Sequence, residues 1–187
     1  MTSKHPKLLS AQNACLIVVD LQERFESVIK DFDSVVAGTT VLIKLFRILE
    51  LPIIITEQYP EGLGETISSV SAALVPRLKK YKKTCFSCCD SDEVSKELLS
   101  LRATEVLICG VETHVCISHT AHGLRQRGLS VHVVVDAVGS RKSIDQDYAL
   151  RRMEQAGVVL TTAETAAFEL LEDSRHPKFK EVQALFK

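Results

Sequence analysis

The stretch Gly110-Val111-Glu112-Thr113-His114-Val115-Cys116 closes an apolar run and opens a helical pattern, which puts a cysteine in the first turn of a helix that follows a strand. With Thr113 as N-cap, its hydroxyl can accept from the Cys116 amide. The dipole and unpaired amides of a first turn favour an anion. They predict a Cys116 thiol lowered from its ordinary value of about 8.5, and so a thiolate nucleophile. The same amides can receive the oxyanion that forms when sulfur attacks an amide or ester carbonyl. A free cysteine is also a common small core residue, but its place at a strand end favours chemistry.

A nucleophile of this kind needs a proton acceptor and a charge to tune it. Asp20 closes the apolar run Cys15 to Asp20, where a strand meets a loop, and can serve as general base and then general acid. Taken alone, Asp20 reads better as a solvated acid that closes a strand or caps the following turn. Lys83 ends the run Lys79-Lys80-Tyr81-Lys82-Lys83, which reads as a solvated surface except at Lys83 itself, where the chain turns apolar and is expected to enter the sheet. His119, three residues after Cys116, offers a Cys/His pair as the alternative base; Asp20 is preferred because His119 lies one turn deeper. Cys85-Phe86-Ser87-Cys88 raises zinc or thiol redox chemistry, yet no matching second pair accompanies it.

These residues must be positioned by something rigid. Strands are expected at Cys15–Asp20, Leu51–Thr56, Tyr81–Phe86, Glu105–Val111, Ser130–Ala137 and Val158–Thr162. Helices are expected at Asp31–Glu50, Ser91–Leu101, Thr113–Arg127, Ser143–Ala156 and Pro177–Phe186, with Gly64–Lys80 partly helical. Strands separated by helices of this length imply βαβ crossovers, hence an α/β three-layer domain with a mainly parallel sheet covered on both faces. In such sheets catalytic groups gather at the carboxyl ends of the strands. One domain over 1–187 is expected, with a core of about 14–171, because no repeat or Pro/Gly-rich linker divides the chain.

Composition narrows the partners. A net charge of -1, with both signs interspersed, leaves no basic stripe for nucleic acid or an anionic membrane. No aromatic stacking platform for RNA is evident either. The longest apolar runs are too short to cross a bilayer. Six cysteines without a secretory signal predict a reduced cytoplasmic protein. A mitochondrial transit segment is the alternative: Met1 to Val19 has no acid and carries Lys4 and Lys7, but lacks arginine.

Three motifs in order, Val18-Val19-Asp20-Leu21-Gln22-Glu23-Arg24-Phe25, then Lys83-Thr84-Cys85-Phe86-Ser87, then Gly110 to Cys116, resemble the isochorismatase-like cysteine hydrolase superfamily from Cys15 to Leu171. The resemblance implies a Rossmann-like fold and a homo-oligomer. It also implies Cys116 as nucleophile, Asp20 as general acid/base, Lys83 holding that carboxylate and the substrate, and a cis peptide between Val111 and Glu112 that turns local amides toward the oxyanion. Nicotinamidases of this superfamily carry a metal-binding Asp-x-His after the second strand. Here Glu57-Gln58-Tyr59-Pro60 stands in that place, so neither their metal nor nicotinamide follows. Isochorismatases of the siderophore and phenazine type lack the cysteine, so vinyl ether cleavage does not follow either. His114 stands where many members have Asp, and Glu57 to Gly64 is similar to the isochorismatase-domain-containing subgroup. The expectation is therefore a metal-independent, cofactor-free hydrolase of the C–N bond in a small amide or ureide. Gln22, Phe25, Gln58, Tyr59 and Phe86 are the expected substrate pocket. The alternative is a non-catalytic binding module on the same fold.

Overall fold

A computed structural model of the chain describes residues 5, 7–76 and 78–187. Lys4, on which the transit-segment alternative partly rests, lies outside the described residues, as does Arg77 within the Gly64–Lys80 stretch. Six strands form one sheet: β1 Ala14–Val19, β2 Ile53–Gln58, β3 Lys80–Lys83, β4 Glu105–Val111, β5 Ser130–Gly139 and β6 Val159–Thr161. Their order is β3-β2-β1-β4-β5-β6 and every neighbouring pair is parallel.

The continuous apolar runs exist because both faces of the sheet are covered. Along β1, Leu16 and Val18 enter one hydrophobic cluster while Cys15, Ile17 and Val19 enter the other, the two-residue period of a strand. On the first face lie α1 Phe32–Ile48, α3 Ser68–Ala73, α7 Ala163–Leu171 and α8 Phe179–Gln183. On the second lie α4 Asp92–Leu101, α5 Ser118–Gln126 and α6 Ser143–Gln155. A further short helix, α2 Pro60–Leu63, follows β2. In α1 the buried residues Val35, Leu42, Ile43 and Phe46 recur at helical spacing, so one stripe meets the sheet. Leu9 and Val182 are fully buried, so packing extends past both ends of the 14–171 span.

Four elements differ from the expectation in ways that bear on the site. First, β3 ends at Lys83 where a strand over Tyr81–Phe86 is expected, so the lysine closes the strand and the apolar residues after it leave the sheet. Second, β2 runs to Gln58 and not Thr56, carrying Glu57 and Gln58 into the sheet. Third, the helix expected over Thr113–Arg127 opens with a wide π turn, Thr113–Ile117, before α5. Fourth, α7 is not among the expected helices, although its cap is a simple one: Thr162 accepts from the Thr165 amide.

The order β3-β2-β1-β4 reverses direction between β1 and β4, which opens a crevice at their carboxyl ends. Gly110 lets β4 approach β1 there. Its φ is +113°, and a Cβ at that position would lie 2.0 Å from the Val19 carbonyl oxygen, one residue before Asp20.

Candidate active site

Three strand ends feed this crevice. β1 stops at Val19 and Asp20 takes φ 52°, a left-handed turn that an aspartate tolerates better than most residues. Its amide still donates to the Thr56 carbonyl (3.2 Å), so the residue is held in register with β2 as the chain leaves the sheet. The inward alternation of β3 buries Tyr81 and Lys83 and leaves Lys82 exposed, which is why one lysine of the run differs from the rest. Beyond β4 the Val111–Glu112 peptide is cis, and the π turn follows with Cys116 on its buried side.

The Asp20 and Lys83 side chains are both fully buried and their charges are 2.7 Å apart (Nζ to Oδ2). Lys83 Nζ also donates to Gln58 Oε1 at 2.7 Å and lies 3.7 Å from Cys116 Sγ. Burial, the largest single influence, would lower the Lys83 ammonium, but the Asp20 carboxylate together with the nearby Cys88 and Cys116 sulfurs outweighs it and holds the group above its ordinary value. The other carboxylate oxygen, Asp20 Oδ1, accepts from the Thr56 hydroxyl at 2.7 Å. Gln58 in turn donates through Nε2 to the Thr84 carbonyl (2.7 Å), fixing the amide that holds the lysine.

The thiol does not follow the expectation of a lowered value. Burial, and then the Asp20 charge, push the Cys116 thiol up, and Lys83 offsets only part of this. Nor does Thr113 cap the helix: Glu112 occupies the N-cap position, and the Thr113 hydroxyl is buried without a hydrogen-bond partner among the described residues. Burial beside the Asp20 carboxylate thus favours the protonated thiol over a standing thiolate. Such an arrangement can pass its proton to the carboxylate as sulfur attacks, without a standing thiolate.

Buried thiols elsewhere carry the same sign. Burial pushes Cys15, Cys88 and Cys109 up to about 12 from 9.0. In the unfolded chain these groups ionise near 9.0, so folding stability is fully present below that pH and declines as pH rises toward 12. Unfolding free energies from urea titrations at pH 7.5, 9 and 10 should fall over the last interval, by about 1 kcal/mol per buried thiol for each pH unit, and the midpoints with them. A midpoint unchanged to pH 10 would contradict this assignment.

The remaining expected residues are dispersed. Gln22 is fully buried, and its amide serves the main chain: Oε1 accepts from Gln58 N, and Nε2 donates to the Gln58 and Gly64 carbonyls. It pins the end of β2 and is not turned to a ligand. Phe25 packs half-buried against the first core cluster. Tyr59 and Phe86 are each more than half exposed, and the Phe86 ring tilts against His119 at 5.9 Å. Tyr59 borders a cleft of about 380 Å³ with Glu61, Lys82 and Cys85; Asp20 and Cys116 do not line it.

His119 is a poor base for the thiol through Nδ1, because that nitrogen lies 2.8 Å from the Val115 carbonyl, which can only accept; Nδ1 therefore carries a proton. Glu112 is paired with Arg141 (2.9 Å) and His114 with Ser140 (3.0 Å), so both anchor the turn to the end of β5. Glu57 accepts from the Thr66 amide and hydroxyl and pairs with Lys80. These donors outweigh burial and hold its carboxyl below its ordinary value. Thr56 is the residue that sequence reasoning missed; carrying β2 through Gln58 would have placed Thr56 and Gln58 on one inward face.

Comparison with known proteins agrees with this geometry. The family description "Isochorismatase domain" matches residues 14–165. An isochorismatase domain-containing protein 2 from Danio rerio is 42% identical over 178 residues, covering 95% of this chain and 88% of that protein. The MAR1 ribonuclease structure from Caenorhabditis elegans superposes with a TM-score of 0.91 at 44% identity, covering 95% of this chain and 91% of that one. The ycaC gene product of Escherichia coli, described as an octameric hydrolase of unknown specificity, gives 0.86 at 25% identity, with 98% of each chain covered. With its three motifs gathered at one strand-end crevice and a match over most of its length, the chain belongs to the isochorismatase domain family.

Proposed function

We propose that the chain is a cysteine-dependent hydrolase that cleaves the C–N bond of a small amide or ureide. The observation that carries this reading is the meeting of Asp20, Lys83 and Cys116, from three strand ends, in one buried hydrogen-bonded group. Cys116 Sγ forms a bond to the carbonyl carbon as its proton passes to Asp20. The C–N bond then breaks and Asp20 returns that proton to the departing nitrogen. Water adds to the thioester, giving its proton to Asp20, and the C–S bond breaks as Asp20 returns that proton to sulfur, regenerating the thiol. Lys83 pairs with Asp20 and keeps it oriented. The Val115 and Ile117 amides donate to the Glu112 carbonyl, so the Cys116 amide is assigned to the oxyanion. The chemistry requires no metal or cofactor, since side chains supply base, acid and charge.

The Caenorhabditis elegans relative is described as a ribonuclease, which favours a second reading, cleavage of RNA. A phosphodiester would bring negative charge against Asp20, while the nearest cation, Lys83, is already neutralised by that carboxylate. Amide hydrolysis, which begins from a neutral carbonyl, suits the site better. The octameric Escherichia coli relative supports self-association of this chain as well.

A screen of small amides and ureides, with a single-stranded RNA oligonucleotide alongside, read by mass spectrometry, tests the reading. Product release from an amide with a transient acyl adduct on Cys116 is expected. Iodoacetamide should label Cys116 faster than Cys85, even though Cys85 is the more exposed thiol. Slow, exposure-ranked labelling with no turnover would instead identify a binding module, and RNA cleavage surviving Cys116→Ala would establish the second reading.

A further inference from the structure

We propose that Thr56 is the positioning residue that aims Asp20 at Cys116 and sets how readily the carboxylate accepts the thiol proton. The inference rests on the cysteine-hydrolase reading and adds a member to its site.

Thr56 is fully buried on β2, the strand beside β1, and pairs in register with Val19. It meets Asp20 twice. Its carbonyl accepts from the Asp20 amide at 3.2 Å, and its hydroxyl lies 2.7 Å from Oδ1. An ionised carboxylate can only accept, so the hydroxyl donates. The Cys88 thiol lies 4.0 Å from the same oxygen on the donor side, and Cys88 is itself held by its amide's bond to Thr120 Oγ1 (2.9 Å). Among the described residues, the Asp20 oxygen at 2.7 Å is a far better acceptor for the hydroxyl than the Cys88 sulfur at 4.0 Å. Lys83 holds the other carboxylate oxygen, so two donors on two oxygens lock rotation of the carboxylate about its Cβ–Cγ bond.

Valine has the same shape, suits a fully buried strand position at least as well, and buries no hydroxyl. A threonine here is accounted for by Asp20. A donor to the charged form of a carboxylate favours that form, so its loss favours the protonated one. A protonated Asp20 cannot take the thiol proton, so Cys116 reactivity disappears as pH falls. Removing the Thr56 donor moves that acid edge upward.

The test is the rate of Cys116 alkylation by iodoacetamide from pH 4 to 9, followed by peptide mass spectrometry in wild type, T56V and T56S. In T56V the acid edge is expected to move up by roughly one pH unit, since a hydrogen bond to a charged group is of that size. The plateau rate should fall about tenfold, as the carboxylate loses its aim by an amount of the same order. T56S keeps the donor and should restore the wild-type edge. With a substrate in hand, kcat should fall while KM stays put. If T56V does not accumulate as folded protein, T56A against T56S is read the same way. A T56V edge and plateau matching wild type, with Cys116 still the preferred thiol, overturns this inference alone. Wild-type Cys116 labelling no faster than Cys85 overturns the hydrolase reading, and the inference with it.

Discussion

Cys116→Ala is expected to lower hydrolysis of any amide that the protein turns over by at least about 10⁴-fold, the loss typical when a covalent nucleophile is removed. The acyl adduct should vanish from the mass spectrum with it. Cys116→Ser should be nearly as inactive. Burial and the Asp20 charge disfavour a standing thiolate, and the proposed mechanism has Asp20 accept the thiol proton during attack. A serine hydroxyl is a far weaker acid than a thiol, so a carboxylate is too weak a base to activate it. Folding should be little affected by either change, because the side chains are of similar or smaller size and no charge is stranded. Turnover that survives alanine would remove Cys116 from the mechanism.

Lys83→Met should produce the largest loss of stability. It leaves the Asp20 carboxylate fully buried without its cation, a situation that costs about 3–5 kcal/mol in comparable buried pairs. The Gln58 oxygen loses its donor at the same time. In the double variant D20N/K83M no buried charge remains, and most of that stability should return, while hydrolysis stays absent because the acid/base group is gone. Urea unfolding of the two variants beside wild type separates the effects. A single variant within about 1 kcal/mol of wild type would show that Asp20 escapes to solvent or protonates without cost.

Much of the frame was legible in the chain. β4 lies on its expected limits because a continuous apolar run is among the least ambiguous patterns a chain carries, and α6 ends one residue short of its expected limit. The meeting of Asp20, Lys83 and Cys116 was also anticipated, since the carboxyl ends of parallel strands share one rim. Local detail was not. Lys80 to Lys83 looks solvated because a four-residue strand with two of its residues inward shows only Tyr81 as an apolar sign. The Ala-rich α7 carries little hydrophobic contrast, and its Thr162 cap is the stronger cue. The state of the thiol was misjudged because a helix dipole can be read from sequence, whereas burial and the distance to a carboxylate are properties of the packed crevice.

The ammonium of the site comes from one of the two edge strands. β3 is bonded along one side only, to β2, and is four residues long, whereas β1 and β4 lie mid-sheet. Rim strands fray at lower free energy than central ones, so hydrogen exchange should find a partly open form in which β3 has peeled away and the rest of the sheet is intact. In that form Asp20 would lose its counter-charge and Cys116 would lose Lys83 together, so the proposed hydrolysis should stop well before the molecule unfolds.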